Sequence, residues 1–200
     1  MKRVALLGGA FDPITVSHEL ILSFLLSNKV VDAVWFMPCY THSYGKKMAS
    51  FEDRMTMTRM IADKYNAEEE KVKVSDFEST YETGGQTYPT LIKFLETYNS
   101  KNDHLFHFII GLDNALTIDK WDDYEKLINL IPFIVLPRGP DPPKPDSWFL
   151  QKPHLYFGDF HDPNDGSSTK VRNSLRESRT SPLIQPEILQ YVLEHDLYRN

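Results

Sequence analysis

Six short apolar segments rich in β-branched and aromatic residues recur along the chain, and stretches with helical spacing separate most of them. The segments are VALLGG, AVWFMP, VKVSDFE, LFHFIIG, FIVLPRG and LYFGDF. Between them, SHELILSFLLSN, FEDRMTMTRMIADKY and TYPTLIKFLETYN each place apolar residues on one helical face. Strands that alternate with helices form βαβ units, and apolar runs such as LFHFII suit strands that are covered on both faces. We therefore predict an α/β protein with a Rossmann-like, doubly wound parallel sheet of about six strands.

The rest of the chain indicates small additions to one domain that spans residues 1–200. A length of 200 residues is typical of a single domain. The segment PRGPDPPKPDSW contains too many prolines for a regular element and is predicted to be a loop. The tail is predicted to be helical, with a C-terminal helical part over roughly 167–200 and a last helix that begins near Pro186.

Charge and cysteine content exclude several classes of protein. The chain has 28 acidic and 22 basic residues, a net charge of −6 that disfavours binding to nucleic acid or to an anionic membrane. Its single cysteine, Cys39, allows no internal disulfide and no four-cysteine zinc site. No apolar run has the length that spans a bilayer. We expect a cytoplasmic protein without nucleic-acid or membrane partners and without a metal site of its own. The sequence leaves open whether the protein forms a homo-oligomer.

The segment LLGGAFDPITVSH indicates a phosphate site after the first strand. Gly8 and Gly9 allow a tight turn and a close approach of a ligand to the main chain. Ser17 is expected to cap a helix that begins at His18, and a helix N-terminus attracts anions. His18 adds a side-chain donor there. The segment is neither a P-loop nor a GxGxxG fingerprint. The alternative is that the glycines only turn the chain and His18 is a polar residue at a helix end.

A second anion site is predicted in GSSTKVRNSL, residues 166–175. Ser167, Ser168 and Thr169 supply hydroxyl groups at the start of a helix, and Lys170 and Arg172 add positive charge. Taken alone, this pattern also fits a capped helix with a solvated basic face.

These two segments resemble the signatures of a known enzyme group. GGAFDPITVSH is similar to the GxFxPxHxGH signature of the HxGH nucleotidyltransferase superfamily, with Thr15 at the first His position, His18 at the last, and Ser17 where glycine is usual. GSSTKVR resembles the ISSTxxR motif of the same superfamily.

Other segments indicate one branch of that superfamily. FIIGLDNALTIDKW resembles the GxDxxxxxxxW segment of nicotinate and nicotinamide mononucleotide adenylyltransferases, and GGQTYPTLIKFL resembles their sYTxxTL stretch, with Gln86 in place of Tyr. The helix that contains Arg54 and the C-terminal PEILQYVLEHDLYRN are similar as well. The resemblance covers essentially the whole chain. It implies transfer of the adenylyl group of ATP to nicotinate or nicotinamide mononucleotide, with release of pyrophosphate, in NAD biosynthesis.

The resemblance also implies roles for individual residues. His18, Thr15 and Arg172 would be catalytic: His18 would donate to the α-phosphate, Thr15 to neighbouring oxygens, and Arg172 to the outer phosphates. ATP would also contact Gly8, Gly9, Ala10, Phe11, Ser17, Gly111, Asp113, Ser168 and Thr169. The mononucleotide would contact Lys47, Thr87, Tyr88, Trp121 and Arg138, and Lys46 is an alternative to Lys47. Mg²⁺ would be bound through the phosphates of ATP.

Two alternatives stay open at this stage. The sequence FDPIT also occurs in the signature of pantetheine-phosphate adenylyltransferases, which are shorter and lack the GxDxxxxxxxW block. Ser17 in place of glycine would suit a catalytically inactive nucleotide-binding sensor. The sequence leaves the choice between nicotinate and nicotinamide undecided.

Overall fold

A six-stranded sheet in the order β3-β2-β1-β4-β5-β6 forms the centre of the protein. A computed structural model describes residues 1–41, 45, 47–67, 69–98, 103–138, 142–164 and 166–199. Every neighbouring pair in the sheet is parallel. The strands are β1 (Lys2–Gly9), β2 (Ala33–Pro38), β3 (Val72–Val74), β4 (His104–Gly111), β5 (Phe133–Leu136) and β6 (Leu155–Tyr156). All six predicted strands and the doubly wound α/β class are confirmed.

The strand order places a switch point between β1 and β4. The chain moves from β1 to β2 and β3 on one side, and then returns to add β4, β5 and β6 on the other. Leu7 pairs with Ile109, and Gly111 at the end of β4 pairs with Leu136 at the end of β5. Loops that follow these strands therefore leave the same edge of the sheet, where ligands bind in open α/β proteins.

Helices cover both faces of the sheet, as continuous apolar strands require. Their bounds are α1 (Val16–Ser27), α2 (Phe51–Asp63), α3 (Phe77–Tyr81), α4 (Thr87–Tyr98), α5 (Leu112–Ala115), α6 (Tyr124–Leu130), α7 (Ser168–Ser178) and α8 (Pro186–Glu194), with 3₁₀ turns at Ile118–Lys120 and Trp148–Leu150. One core contains the apolar sides of α1, α2, α7 and α8. The other contains those of α4 and α6.

The structure corrects one boundary and confirms another. α1 begins at Val16 with Thr15 as its N-cap, so the predicted start at His18 with Ser17 as the cap is wrong. The reason is that the Ser17 hydroxyl is occupied elsewhere, by the N–H of Gly166. The last helix begins at Pro186, as predicted.

The proline-rich segment contains no helix or strand over 142–147, and residues 139–141 lie outside the described part of the chain. Across the described helices, none combines the length and the apolar composition that crossing a bilayer requires.

Candidate active site

Two cavities lie side by side over the carboxyl ends of β1 and β4. The first has a volume of about 470 Å³ and the second of about 370 Å³. Gly8, Ile109 and Ile110 line both of them. The boundary between the two cavities therefore lies at the switch point of the sheet, where Gly8, one of the last two residues of β1, has no side chain to cover the main chain.

The first phosphate motif is joined to the loop before α7 by a pair of hydrogen bonds. The Thr15 hydroxyl donates to the carbonyl of Gly166 at 3.0 Å. The N–H of Gly166 donates to the Ser17 hydroxyl at 2.9 Å. A glycine at position 17 could not accept this second hydrogen bond. The Ser17 hydroxyl thus fixes the loop that leads into the second motif.

The second phosphate motif contacts the loop of the first. The Ser168 hydroxyl donates to the carbonyl of Pro13 at 2.8 Å. Arg172 Nη1 donates to the carbonyl of Asp12 at 2.7 Å, and its Nη2 donates to the Thr169 hydroxyl at 3.1 Å. Two predicted anion-binding segments that are far apart in the sequence are therefore in direct contact.

His18 lines the second cavity and is held in one orientation. The backbone N–H of Thr15 donates to His18 Nδ1 at 3.0 Å, and the Phe11 ring packs edge-on at 5.1 Å between centroids. Because Nδ1 accepts a hydrogen bond, this geometry assigns the proton of the neutral ring to Nε2. Burial lowers the pKa of His18 to about 4, the charge of Arg138 adds to this, and Asp162 opposes it. Near neutral pH His18 is therefore an uncharged donor.

Thr15 is placed to orient His18 rather than to face a ligand. Its side chain is buried, its hydroxyl donates to Gly166, and the hydroxyl oxygen lies 2.8 Å from His18 Nδ1. This arrangement differs from the predicted direct contact with phosphate oxygens, because the N-cap position turns the side chain into the protein.

The structure places Arg138, a predicted mononucleotide contact, in the lining of the second cavity. Arg138 follows β5, whose last residue pairs with Gly111. Its Nη1 consequently lies 4.0 Å from Asp113 Oδ2, and it lines the same cavity as His18. Gly111 lies in that cavity too, where a Cβ would collide with the Asp113 carboxylate.

The first cavity contains the predicted aromatic residue. Trp121 follows the 3₁₀ turn after α5, Thr87 begins α4, and both line this cavity. The side-chain amide of Gln86 donates to Asp122 at 3.0 Å and links the two segments. Thr90 Oγ1 is buried and has no hydrogen-bond partner among the described residues. A flat ring between Trp121 and the N-terminal turn of α4 would meet an aromatic face and polar groups.

Glu78 is a residue of the first cavity that the sequence did not indicate. Its Oε2 accepts the N–H of Tyr40 at 3.1 Å. Burial raises the pKa of Glu78 to about 7, although the Tyr40 N–H and the charge of Arg54 oppose the shift. No motif marks this position, since only the folded position of α3 beside the end of β2 brings Glu78 into the cavity.

The remaining predicted residues lie at different distances from the two cavities. Gly9 and Ala10, which are predicted ATP contacts, line the first cavity, and Phe11 is buried beneath His18. Tyr88 lies outside the described lining of both cavities, and Lys126 lies over its ring. Lys47 is exposed and contacts neither cavity, and Lys46 lies outside the described residues.

The described part of the chain contains no cluster of three or more His, Cys, Asp or Glu side chains that could hold a metal ion. Asp12, the acidic residue of the first phosphate motif, already pairs with Arg172 at 3.5 Å.

Comparison with known proteins agrees with this geometry. A family model described as cytidylyltransferase-like matches residues 6–174, which include His18 and Arg172. A Fusobacterium nucleatum protein named a probable nicotinate-nucleotide adenylyltransferase is 32% identical over 176 residues, covering 87% of this chain and 88% of the relative. An Oceanobacillus iheyensis protein of the same name is 31% identical, covering 99% of this chain and 97% of the relative.

The chain belongs to the nicotinate-nucleotide adenylyltransferase family.

Solved structures of this enzyme class share the fold. The nicotinic acid mononucleotide adenylyltransferase of Plasmodium falciparum, complexed with NaAD, superposes with a TM-score of 0.82 at 23% identity and covers 99% of this chain. A second structure of the P. falciparum enzyme, complexed with APC, gives 0.78 at 24% identity. The fold assigned to this nicotinate-nucleotide adenylyltransferase family member is therefore supported across its whole length.

Proposed function

We propose that this protein transfers the adenylyl group of ATP to the 5′-phosphate of nicotinate mononucleotide and releases pyrophosphate. The observation that carries the proposal is the pair of cavities that meet at Gly8, with the His18 donor and the joined phosphate motifs beside their boundary. Two anionic substrates bound in adjacent cavities would bring their phosphates together at that boundary. The names of the relatives support the same reaction.

The second cavity is proposed to bind the adenosine part of ATP. Gly111 allows close approach there, and Asp113 pairs at 4.0 Å with Arg138, a residue of the cavity lining. His18 would donate from Nε2 to the α-phosphate. Arg172 and the N-terminus of α7 would hold the outer phosphates, where the helix N–H groups favour anions.

The first cavity is proposed to bind the nicotinate ring of the mononucleotide. Trp121 supplies an aromatic face, and the N-terminal turn of α4 supplies N–H groups that favour a carboxylate. This preference for an anion, together with the names of the relatives, is why we propose nicotinate rather than nicotinamide.

The reaction requires no general base from the protein. A mononucleotide phosphate oxygen, already ionised at neutral pH, attacks the α-phosphorus of ATP. The bond from the α-phosphorus to the bridging oxygen breaks, and pyrophosphate leaves with the electron pair. Catalysis is then alignment of two anions and stabilisation of charge on the phosphoryl oxygens. Mg²⁺ is proposed to arrive as part of the MgATP substrate.

Pyrophosphate release with a panel of acceptors tests this proposal. Purified protein is supplied with MgATP and, separately, with nicotinate mononucleotide, nicotinamide mononucleotide or phosphopantetheine. We expect the highest kcat/KM with nicotinate mononucleotide. A higher value with phosphopantetheine would indicate the pantetheine-phosphate enzyme, and no turnover with any acceptor would indicate a nucleotide-binding sensor.

A further inference from the structure

The Asp12 carboxylate is fully buried behind the phosphate motifs and is held on one side only. Its Oδ1 accepts the N–H of Ala49 at 3.0 Å and the hydroxyl of Tyr198 at 2.9 Å. Its Oδ2 accepts no hydrogen bond from any described residue and lies 3.5 Å from Arg172 Nη1. The orientation of this carboxylate therefore determines how strongly it attracts the Arg172 guanidinium.

Tyr198 reaches Asp12 from the end of the chain in a conformation that bulky residues rarely adopt. Its φ is +57°, in the left-handed region. Neighbouring contacts hold this backbone: Arg179 donates to the carbonyl of Leu197 at 3.0 Å, and the N–H of Leu197 donates to Val192 at 3.0 Å. Burial raises the pKa of the Tyr198 hydroxyl, so the group remains a donor at every physiological pH. A strained residue that its surroundings hold in place is a candidate for a functional role.

Arg172 has limited freedom, and Asp12 contributes to its restraint. Its side chain is only 11% exposed, and Nη1 donates to the main-chain carbonyl of Asp12. A guanidinium and a free carboxylate favour a two-point contact. If Oδ1 were released, both carboxylate oxygens could turn to the guanidinium and compete with a bound phosphate. The Tyr198 hydroxyl and the Ala49 N–H together oppose this turn, and the hydroxyl is the one that a side-chain substitution can remove.

We infer that Tyr198 is a positioning residue for ATP binding, which holds the Asp12 carboxylate so that Arg172 is directed at the phosphates. This inference rests on the proposed function. It assigns to the C-terminal segment a role in the site beyond packing against the sheet.

The chain offers a matched control in the same segment. Tyr191 also donates its hydroxyl to an aspartate, Asp53 Oδ1, at the same distance of 2.9 Å. Asp53 belongs to neither phosphate motif. Tyr191→Phe and Tyr198→Phe remove the same atom from similar hydrogen bonds, so a general effect on stability would appear in both.

The experiment measures ATP affinity by calorimetry without mononucleotide, and KM for each substrate in the pyrophosphate assay. The proteins are the wild type, Tyr198→Phe, Tyr191→Phe, Arg172→Ala and the double variant Tyr198→Phe/Arg172→Ala. We expect Tyr198→Phe to weaken ATP roughly three- to tenfold, as for residues coupled in one hydrogen-bond network, with the mononucleotide KM unchanged. Tyr191→Phe should leave both values unchanged. In the Arg172→Ala background, the Tyr198 change should alter ATP affinity less than about twofold.

Three results would overturn the inference. The first is that Tyr191→Phe weakens ATP binding as much as Tyr198→Phe does. The second is that Tyr198→Phe raises the KM values of ATP and of the mononucleotide equally. The third is that the Tyr198 change weakens ATP binding as much in the Arg172→Ala background as in the wild type. A wild-type protein that neither binds ATP nor releases pyrophosphate would instead refute the proposed function, and the inference with it.

Discussion

Replacement of His18 tests the donor geometry of the site in detail. Nδ1 is occupied by the N–H of Thr15 at 3.0 Å, so only Nε2 is left to meet a phosphate. Loss of one preorganised donor of this kind costs about 3 kcal/mol, or roughly a hundredfold or more in kcat. We therefore expect His18→Ala to lower kcat by at least about a hundredfold while the protein remains folded.

Two further variants separate the two ring nitrogens. The amide nitrogen of Gln lies near the position of Nε2, whereas that of Asn lies near Nδ1. We expect His18→Gln to retain part of the activity that His18→Asn and His18→Ala lose, with kcat measured by pyrophosphate release. A folded His18→Ala protein with near-normal kcat, or an Asn variant as active as the Gln variant, would refute this assignment of Nε2.

The pH dependence of stability gives an independent check on the same side chain. The pKa of His18 is about 4 in the folded protein and about 6.5 when unfolded, so the unfolded state binds more protons between these values. The neutral ring thus contributes about 3 kcal/mol near neutral pH, which is lost as the pH falls from about 6.5 to about 4. Urea unfolding of wild type and His18→Gln should diverge over that range, and parallel curves would contradict the assigned burial.

Two other changes distinguish the two substrates, and a third tests the raised pKa of Glu78. Arg172→Ala should raise KM for ATP more than KM for the mononucleotide, and unchanged ATP kinetics would remove Arg172 from the site. Trp121→Ala should raise the mononucleotide KM by a factor that corresponds to about 1–3 kcal/mol, with ATP little changed; loss of stability alone, seen in thermal unfolding, would make Trp121 a core residue. Burial of the Glu78 carboxyl group makes its ionisation unfavourable in the folded protein, so the free energy of unfolding of the wild type falls as the pH rises towards the folded pKa of about 7. Glu78→Gln should remove this loss. Its stability gain over wild type should increase by about 2 kcal/mol between about pH 5.5 and about pH 8, and a constant gain would contradict the raised pKa.

Local patterns predicted the elements and the main motifs of this protein. The two central strands, β1 and β4, contain continuous apolar runs that end at Gly9 and Gly111, and such runs can be identified without tertiary information. His18 and Arg172 lie in motifs at helix starts, so the sequence indicated both. The parallel topology then follows from the alternation of strands and helices.

Contacts between segments that are distant in the sequence could not be predicted from local patterns. The cap of α1 depends on Gly166, because that residue takes the Ser17 hydroxyl and leaves Thr15 at the helix start. The position of Arg138 in the second cavity, apart from Trp121 and Thr87 in the first, follows from the register between β4 and β5. Glu78 enters the first cavity through the packing of α3, which no local pattern specifies.

The fate of the α-phosphorus tests the central claim most directly. Protein supplied with ATP labelled at the α-phosphate and with nicotinate mononucleotide should place all transferred label in a dinucleotide and release unlabelled pyrophosphate in equal amount. That result is what reaction of the two substrates at the boundary of the two cavities predicts. Label that remains in ATP, or that appears only in AMP without a dinucleotide, would contradict adenylyl transfer at this site.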